Sequence, residues 1–132
     1  MAISVGWYDG AQTILIWRFG ESWTWDEYYA ALEQTNQVLR RCSQPVALIV
    51  DTREARSFPR GLLTHAANGI ETRQEGIWLA VVVIGHPVLR AIYDHFLPIA
   101  ERLLPRQGLK MTHADDVESA LRLIETRLAC EV

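Results

Sequence analysis

The chain reads as one α/β domain: a single mixed, mostly parallel sheet with an N-terminal antiparallel hairpin and about four helices, in the order ββαβαβαβα. Three observations predict this. Strand-like apolar runs alternate with apolar stripes at helical spacing, the pattern of strands joined by crossover helices. Two of the runs, 46–50 and 77–84, are apolar at successive positions, as strands buried on both faces must be. The first two strands are instead separated by little more than Asp9-Gly10, too short for a crossover and suited to a tight hairpin with positive φ.

Each element has its own signal. In the first strand Ile3, Val5 and Trp7 alternate with Ser4, Gly6 and Tyr8, the period of a half-buried edge strand. In the second, Leu15, Trp17 and Phe19 share one face and Ile14, Ile16 and Arg18 the other, which places it inside the sheet. Thr24 and Glu27 have the spacing of a capping box, and Trp25, Tyr28, Leu32, Thr35 and Leu39 continue as a helical stripe toward Arg41. The strand at 46–50 ends in Asp51. A loop follows, and Pro59 is suited to open a second helix carrying Leu62, Leu63, Ala66, Ala67 and Ile70, with Asn68-Gly69 weakening its end. After the strand at 77–84 a helix begins near Pro87, and Pro98 is expected to kink or break it. A short strand at 109–112 precedes the last helix, for which Asp115 and Glu118 form a capping box and Val117, Leu121, Ile124 and Leu128 an apolar stripe.

The 132 residues fit a single domain, 1–132. A 49% apolar and 22% charged composition is that of a globular protein. The net charge of −3 argues against a nucleic-acid partner. The first residues lack the basic and apolar regions of a secretory signal, and the longest apolar run is about half of what a membrane-spanning helix needs. The chain is therefore expected in the cytoplasm, with Cys42 and Cys130 as free thiols. Right-handed crossovers between neighbouring strands would put the intervening helices on one face, so the other face needs the last helix, a partner or a ligand.

The loop after Asp51 is the candidate site, because ligands of open α/β sheets gather beyond the carboxyl ends of the strands. Asp51, Arg53, Arg56, Ser57, Arg60 and Gly61 lie there beside a predicted helix start. They fit an anion site or a docking surface for an acidic partner, but charge clusters near loops more commonly form a solvated set of ion pairs, here with Asp51 and Glu54. Trp17, Trp23 and Trp25 crowd the first quarter of the chain and fit either an apolar ligand site or core packing, and Trp23 is also placed to staple the helix start against Tyr28. His86 and His113 follow strands, and either could pair with Asp51 for acid–base work. His65 and His95 have no ligand spacing. Nucleophile-elbow, HExxH, phosphate-loop and dinucleotide motifs are all absent, so neither a metal nor a cofactor is expected.

Element order, together with Val46-Ala47-Leu48-Ile49-Val50-Asp51, a loop, and Gly61-Leu62-Leu63 opening a helix, resembles STAS-like domains of the SpoIIAA-like group, related to anti-sigma factor antagonists. Family members show an apolar strand ending in Asp, a loop, and an Asp-Ser-Ser-Gly-type helix start. In phosphorylatable members a Ser two residues before the Gly accepts the phosphoryl group. Here that position is Pro59, and counting forward from Asp51 gives Arg60, so no hydroxyl stands at either and the phosphoswitch does not carry over. The resemblance implies a non-enzymatic regulatory or interaction module. A second expectation it carries is a carrier or sensor of an apolar small molecule, associated with membranes. The residues themselves, and not the resemblance, give a third expectation, a small enzyme using Asp51 with His86 or His113. An edge hairpin bearing tryptophan also suits a homodimer.

Overall fold

Five strands lie side by side in the order in which they occur along the chain. The structure, a computed structural model, describes residues 2–56, 59–61, 64–65, 68–69, 76–85, 87–107 and 110–131, without side-chain surroundings at 99–101, 103–107 and 129–131. The elements are β1 (Ile3–Trp7), β2 (Ile14–Phe19), α1 (Trp25–Arg40), β3 (Val46–Asp51), β4 (Ile77–Val83), α2 (Pro87–Gln107), β5 (Lys110–Ala114) and α3 (Val117–Glu131). β1 is antiparallel to β2 and every other pairing is parallel. Three helices are thus described rather than about four. Between β3 and β4, residues 64–65 and 68–69 are helical, while Leu62, Leu63, Ala66, Ala67 and Ile70 of the expected second helix lie outside the described residues.

The face left open by the sequence is covered by the last helix. Leu15, Trp17, Phe19, Leu48 and Ala80 pack beneath Ala31, Leu32 and Leu39 of α1 and Phe96 of α2. On the opposite face Ile16, Ile49, Leu79, Val81, Val83 and Ala114 meet Ala120 and Ile124 of α3. This is the arrangement that right-handed crossovers between neighbouring strands produce. Val46 pairs with Ile77 and Ala47 with Leu79, so Trp78 is the extra residue of a bulge. Both Trp78 and Leu79 therefore join the α3 side of the core.

Four local expectations are corrected. The hairpin does not turn on positive φ at Asp9-Gly10. Gln12 takes the left-handed conformation instead, and the Asp9 carboxylate accepts the backbone N–H groups of Thr13 (2.9 Å) and Ile14 (3.1 Å), together with the Thr13 hydroxyl. A longer loop is stable because one side chain satisfies both donors. α2 is not broken at Pro98, which is exposed, so the carbonyl left without its helical donor can turn to water. The cap of α3 is Asp116, one residue later than expected. Its carboxylate accepts the Ser119 N–H at 2.7 Å, while Glu118 pairs with Arg122 at 2.7 Å. Leu128 is exposed, and the buried stripe of α3 is carried by Ala120 and Ile124.

Candidate functional site

The loop after β3 is held at several points. Thr52 donates both its N–H (3.0 Å) and its hydroxyl (2.7 Å) to the Val83 carbonyl at the end of β4. Ala55 turns back to the Thr52 carbonyl and is only 3% exposed, a small apolar anchor beneath an otherwise polar segment. The Arg56 N–H donates to the Glu21 carbonyl (2.9 Å), which ties the loop to the β2–α1 connection. Farther on, the Trp25 indole N–H donates to the Arg60 carbonyl at 2.7 Å.

The three loop arginines do three different things. Arg53 turns inward, and its Nε and Nη2 each donate to Asp51 at 2.9 Å, with its backbone N–H adding a third bond at 3.1 Å. Burial alone would push the Asp51 carboxyl pKa up. The Arg53 hydrogen bonds and the charges of Arg53 and Arg18 outweigh it and hold the group below the usual carboxylate range. Arg56 points outward with its side chain 80% exposed, and Glu21 stands 3.8 Å away. Arg60 is exposed, and its described contact is made by its backbone. Ser57 lies outside the described residues.

Gly61 has φ of +83°, a conformation open to glycine. Its carbonyl accepts the His65 N–H at 2.9 Å, and a Cβ there would stand 3.2 Å from the His65 ring. The imidazole stacks on Trp25 with centroids 4.4 Å apart and shares a 2.7 Å hydrogen bond with the Tyr29 hydroxyl. Trp25 in turn meets Trp23 at 4.8 Å and Tyr28 at 5.2 Å. Trp17 and Trp23 are buried, and Trp17 donates its indole N–H to Thr35 on α1. Trp23 precedes the Thr24 cap and lies 6.3 Å from Tyr28, so it forms the staple its position suggested, within the core. The aromatic residues therefore pack on one another.

Among the described residues, two clefts lie at the carboxyl ends of the strands. One, of about 410 Å³, is lined by Arg18, Phe19, Asp51, Arg53 and Glu54. The other, of about 370 Å³, is lined by Arg90, His113, Asp115, Ser119 and Arg122 among others. Neither is lined by tryptophan. In the second cleft Arg90 is engaged by Asp94 (3.2 Å) and Arg122 by Glu118. Asp51 and His113 are not brought together. Asp51 is in register with Val83 and His113 with Val82, so their side chains leave opposite faces of the sheet. His113 instead meets the Tyr93 ring at 5.5 Å. His86 lies outside the described residues.

Arg18 is the site residue that the sequence reading passed over. It alternates with Ile14 and Ile16 and stands directly beside Asp51 in the ladder, but that neighbour is visible only once β2 and β3 are paired. Among the described residues no group of His, Cys, Asp and Glu is arranged to hold a metal ion, and no helix is long and apolar enough to cross a membrane. Compared with protein-family models, curated proteins and solved structures, the chain matches none.

Proposed function

We propose that this chain is a non-enzymatic, STAS-like interaction module of the cytoplasm that docks an acidic protein partner on the loop from Arg53 to Gly61. One observation carries the reading. The Arg56 side chain is 80% exposed on a loop whose backbone is anchored to β4 and to the β2–α1 connection. An anchored backbone lowers the ordering cost of binding, and an exposed guanidinium in a solvent-screened ion pair with Glu21 can exchange it for a partner's carboxylates. Arg60 is a further exposed arginine of this loop, and Pro59 and Arg60 stand where a hydroxyl switch would be needed, so regulation by phosphorylation at those positions is not part of the proposal. The self-packed aromatic cluster and the opposed directions of Asp51 and His113 favour this reading over an apolar carrier or an acid–base enzyme.

The test is affinity capture from the native cell with the wild-type chain and with the Arg56→Glu/Arg60→Glu double variant. A protein retained by the wild type and lost from the variant is the expected result. Equal capture by both would reject the loop as the docking surface.

A second association, between two copies, is favoured by the free side of β1. The bonds from Gly20 N–H to the Ala2 carbonyl and from Tyr8 N–H to the Ile14 carbonyl put residues 2, 4, 6 and 8 in the phase that faces β2. The backbone groups of Ile3, Val5 and Trp7 then point away from the sheet. The strand carries no charge, proline or bulge among the devices that guard an edge. A two-fold pairing centred on Val5 would match Ile3 with Trp7 of the second copy and satisfy all three outward residues.

A further inference from the structure

Arg53 reaches Asp51 with one edge of its guanidinium, Nε and Nη2. The planar group has five N–H donors, so the edge carrying Nη1 and the second Nη2 hydrogen is not used in this clamp. Asp51, 8% exposed, fixes the orientation of that second edge. The aliphatic stem passes over Gly85, where a Cβ would stand 3.4 Å from the Arg53 Cγ. Arg53 is therefore a pre-oriented cation, and its side chain remains 44% exposed where it lines the 410 Å³ cleft.

Arg18 lines the same cleft from the neighbouring strand. It forms no salt bridge among the described residues, unlike Arg90 and Arg122 of the second cleft. The Asp51 charge is already engaged by Arg53, while Glu54, an exposed carboxylate of the lining, also acts on Arg53. Asp116, whose charge also reaches Arg53, is committed to the α3 cap. Two guanidinium groups thus share one concave site, one clamped by a buried carboxylate and one that feels the same carboxylate without forming a salt bridge among the described residues. Paired arginines of this kind recognise planar or tetrahedral oxyanions by bidentate hydrogen bonding. The position, beyond the carboxyl ends of two adjacent parallel strands, is where open α/β sheets hold ligands.

We propose that the cleft between Arg18 and Arg53 binds a compact oxyanion, the phosphate or carboxylate of a small molecule, with Arg18 and the free edge of Arg53 as its donors. The site shares Arg53 with the docking loop, but it rests on Arg18 and the inward-turned Arg53 guanidinium and not on Arg56 or Arg60.

The experiment is a titration of the full chain at low ionic strength, followed by amide and arginine Nε resonances, with inorganic phosphate in one series and succinate in another. Saturable shifts at Arg18 and Arg53 are expected in at least one series, and the anion that saturates first identifies the preferred group. Arg18→Gln is expected to weaken that binding about 10-fold or more, the ordinary loss for one hydrogen bond to a charged group. Arg53→Lys, which keeps the charge but loses the planar fork, is expected to weaken it as well. The Arg56→Glu/Arg60→Glu variant is expected to bind within about 3-fold of the wild type, because those charges are exposed and screened. Shifts that stay linear to the highest concentration in both series would overturn the proposal, as would saturable shifts unchanged in Arg18→Gln. Arg18 is exposed, so its replacement leaves the core intact and the result interpretable.

Discussion

At the scale of single residues, the behaviour of Asp51 follows from one partner. Replacement by Asn keeps the size and one acceptor but removes the charge that Arg53 faces. Arg53 is partly solvated, so the expected destabilisation at neutral pH is modest, about 1–2 kcal/mol. Its pH dependence has a definite sign. The folded Asp51 carboxyl titrates below its unfolded value. The pair's contribution is therefore complete above the unfolded pKa of about 3.9 and is lost as pH falls through the folded pKa. Urea unfolding of both proteins across an acid series is expected to show stability curves that differ at pH 7 and converge at the acid end. A difference unchanged down to the lowest pH would contradict the assignment.

Gly69 shows a different residue-scale constraint. A Cβ there would fall on the Tyr28 hydroxyl, and burial pushes the pKa of that hydroxyl up. The glycine that weakens a helical pattern in the sequence makes room for an aromatic ring in the structure. Gly69→Ala would gain up to about 1 kcal/mol in helix propensity, but overpacking is expected to make it a net loss of about 1–3 kcal/mol. Adding Tyr28→Phe removes the nearest atom, though the ring carbon remains close at 2.9 Å. A double-mutant cycle should show partial rescue, with a coupling energy well above zero.

At the scale of elements, the two helix starts differ in how well spacing located them. Thr24 and Glu27 form the whole capping box, with each side chain bonded to the other's backbone N–H. Glu27 also accepts the Ala2 N–H at 3.1 Å and so ties α1 to the start of β1. At α3 the adjacent Asp115 and Asp116 were equally good cap residues by type, and β5 decided between them. That strand remains paired through Ala114, and Asp116 is the aspartate whose carboxylate reaches Ser119. Asp116→Ala is expected to cost about 1 kcal/mol of stability and Asp115→Ala less than about 0.5 kcal/mol. The reverse order in thermal unfolding would return the cap to Asp115.

At the scale of the molecule, the consecutive strand order leaves β1 as one edge of the sheet. Val5 is the central outward-facing residue of that edge. Proline there removes an N–H that β2 does not use, so the hairpin keeps its ladder while the edge loses its middle donor. Sedimentation across a concentration series is expected to show a wild-type mass that rises toward a dimer and a Val5→Pro mass that stays at the monomer. A wild-type mass constant at the monomer value would end the edge-pairing proposal.

What the sequence by itself determined was periodic and local. The alternation in β1 and β2, the continuous apolar runs of β3 and β4, and the Thr24–Glu27 box depend on residues within a few positions of each other, and the structure bears them out. What only the tertiary structure decided was pairwise and distant. The pairing of β2 with β3 set Arg18 beside Asp51, the registers of β3 and β5 with β4 turned His113 away from Asp51, and packing against Tyr28 made a glycine necessary at 69. The three loop arginines look equivalent in sequence because charge type is all that composition reports. They diverge in space because Asp51 captures the nearest of them through a three-bond clamp, while Arg56 and Arg60 are attached to the fold mainly by their backbones.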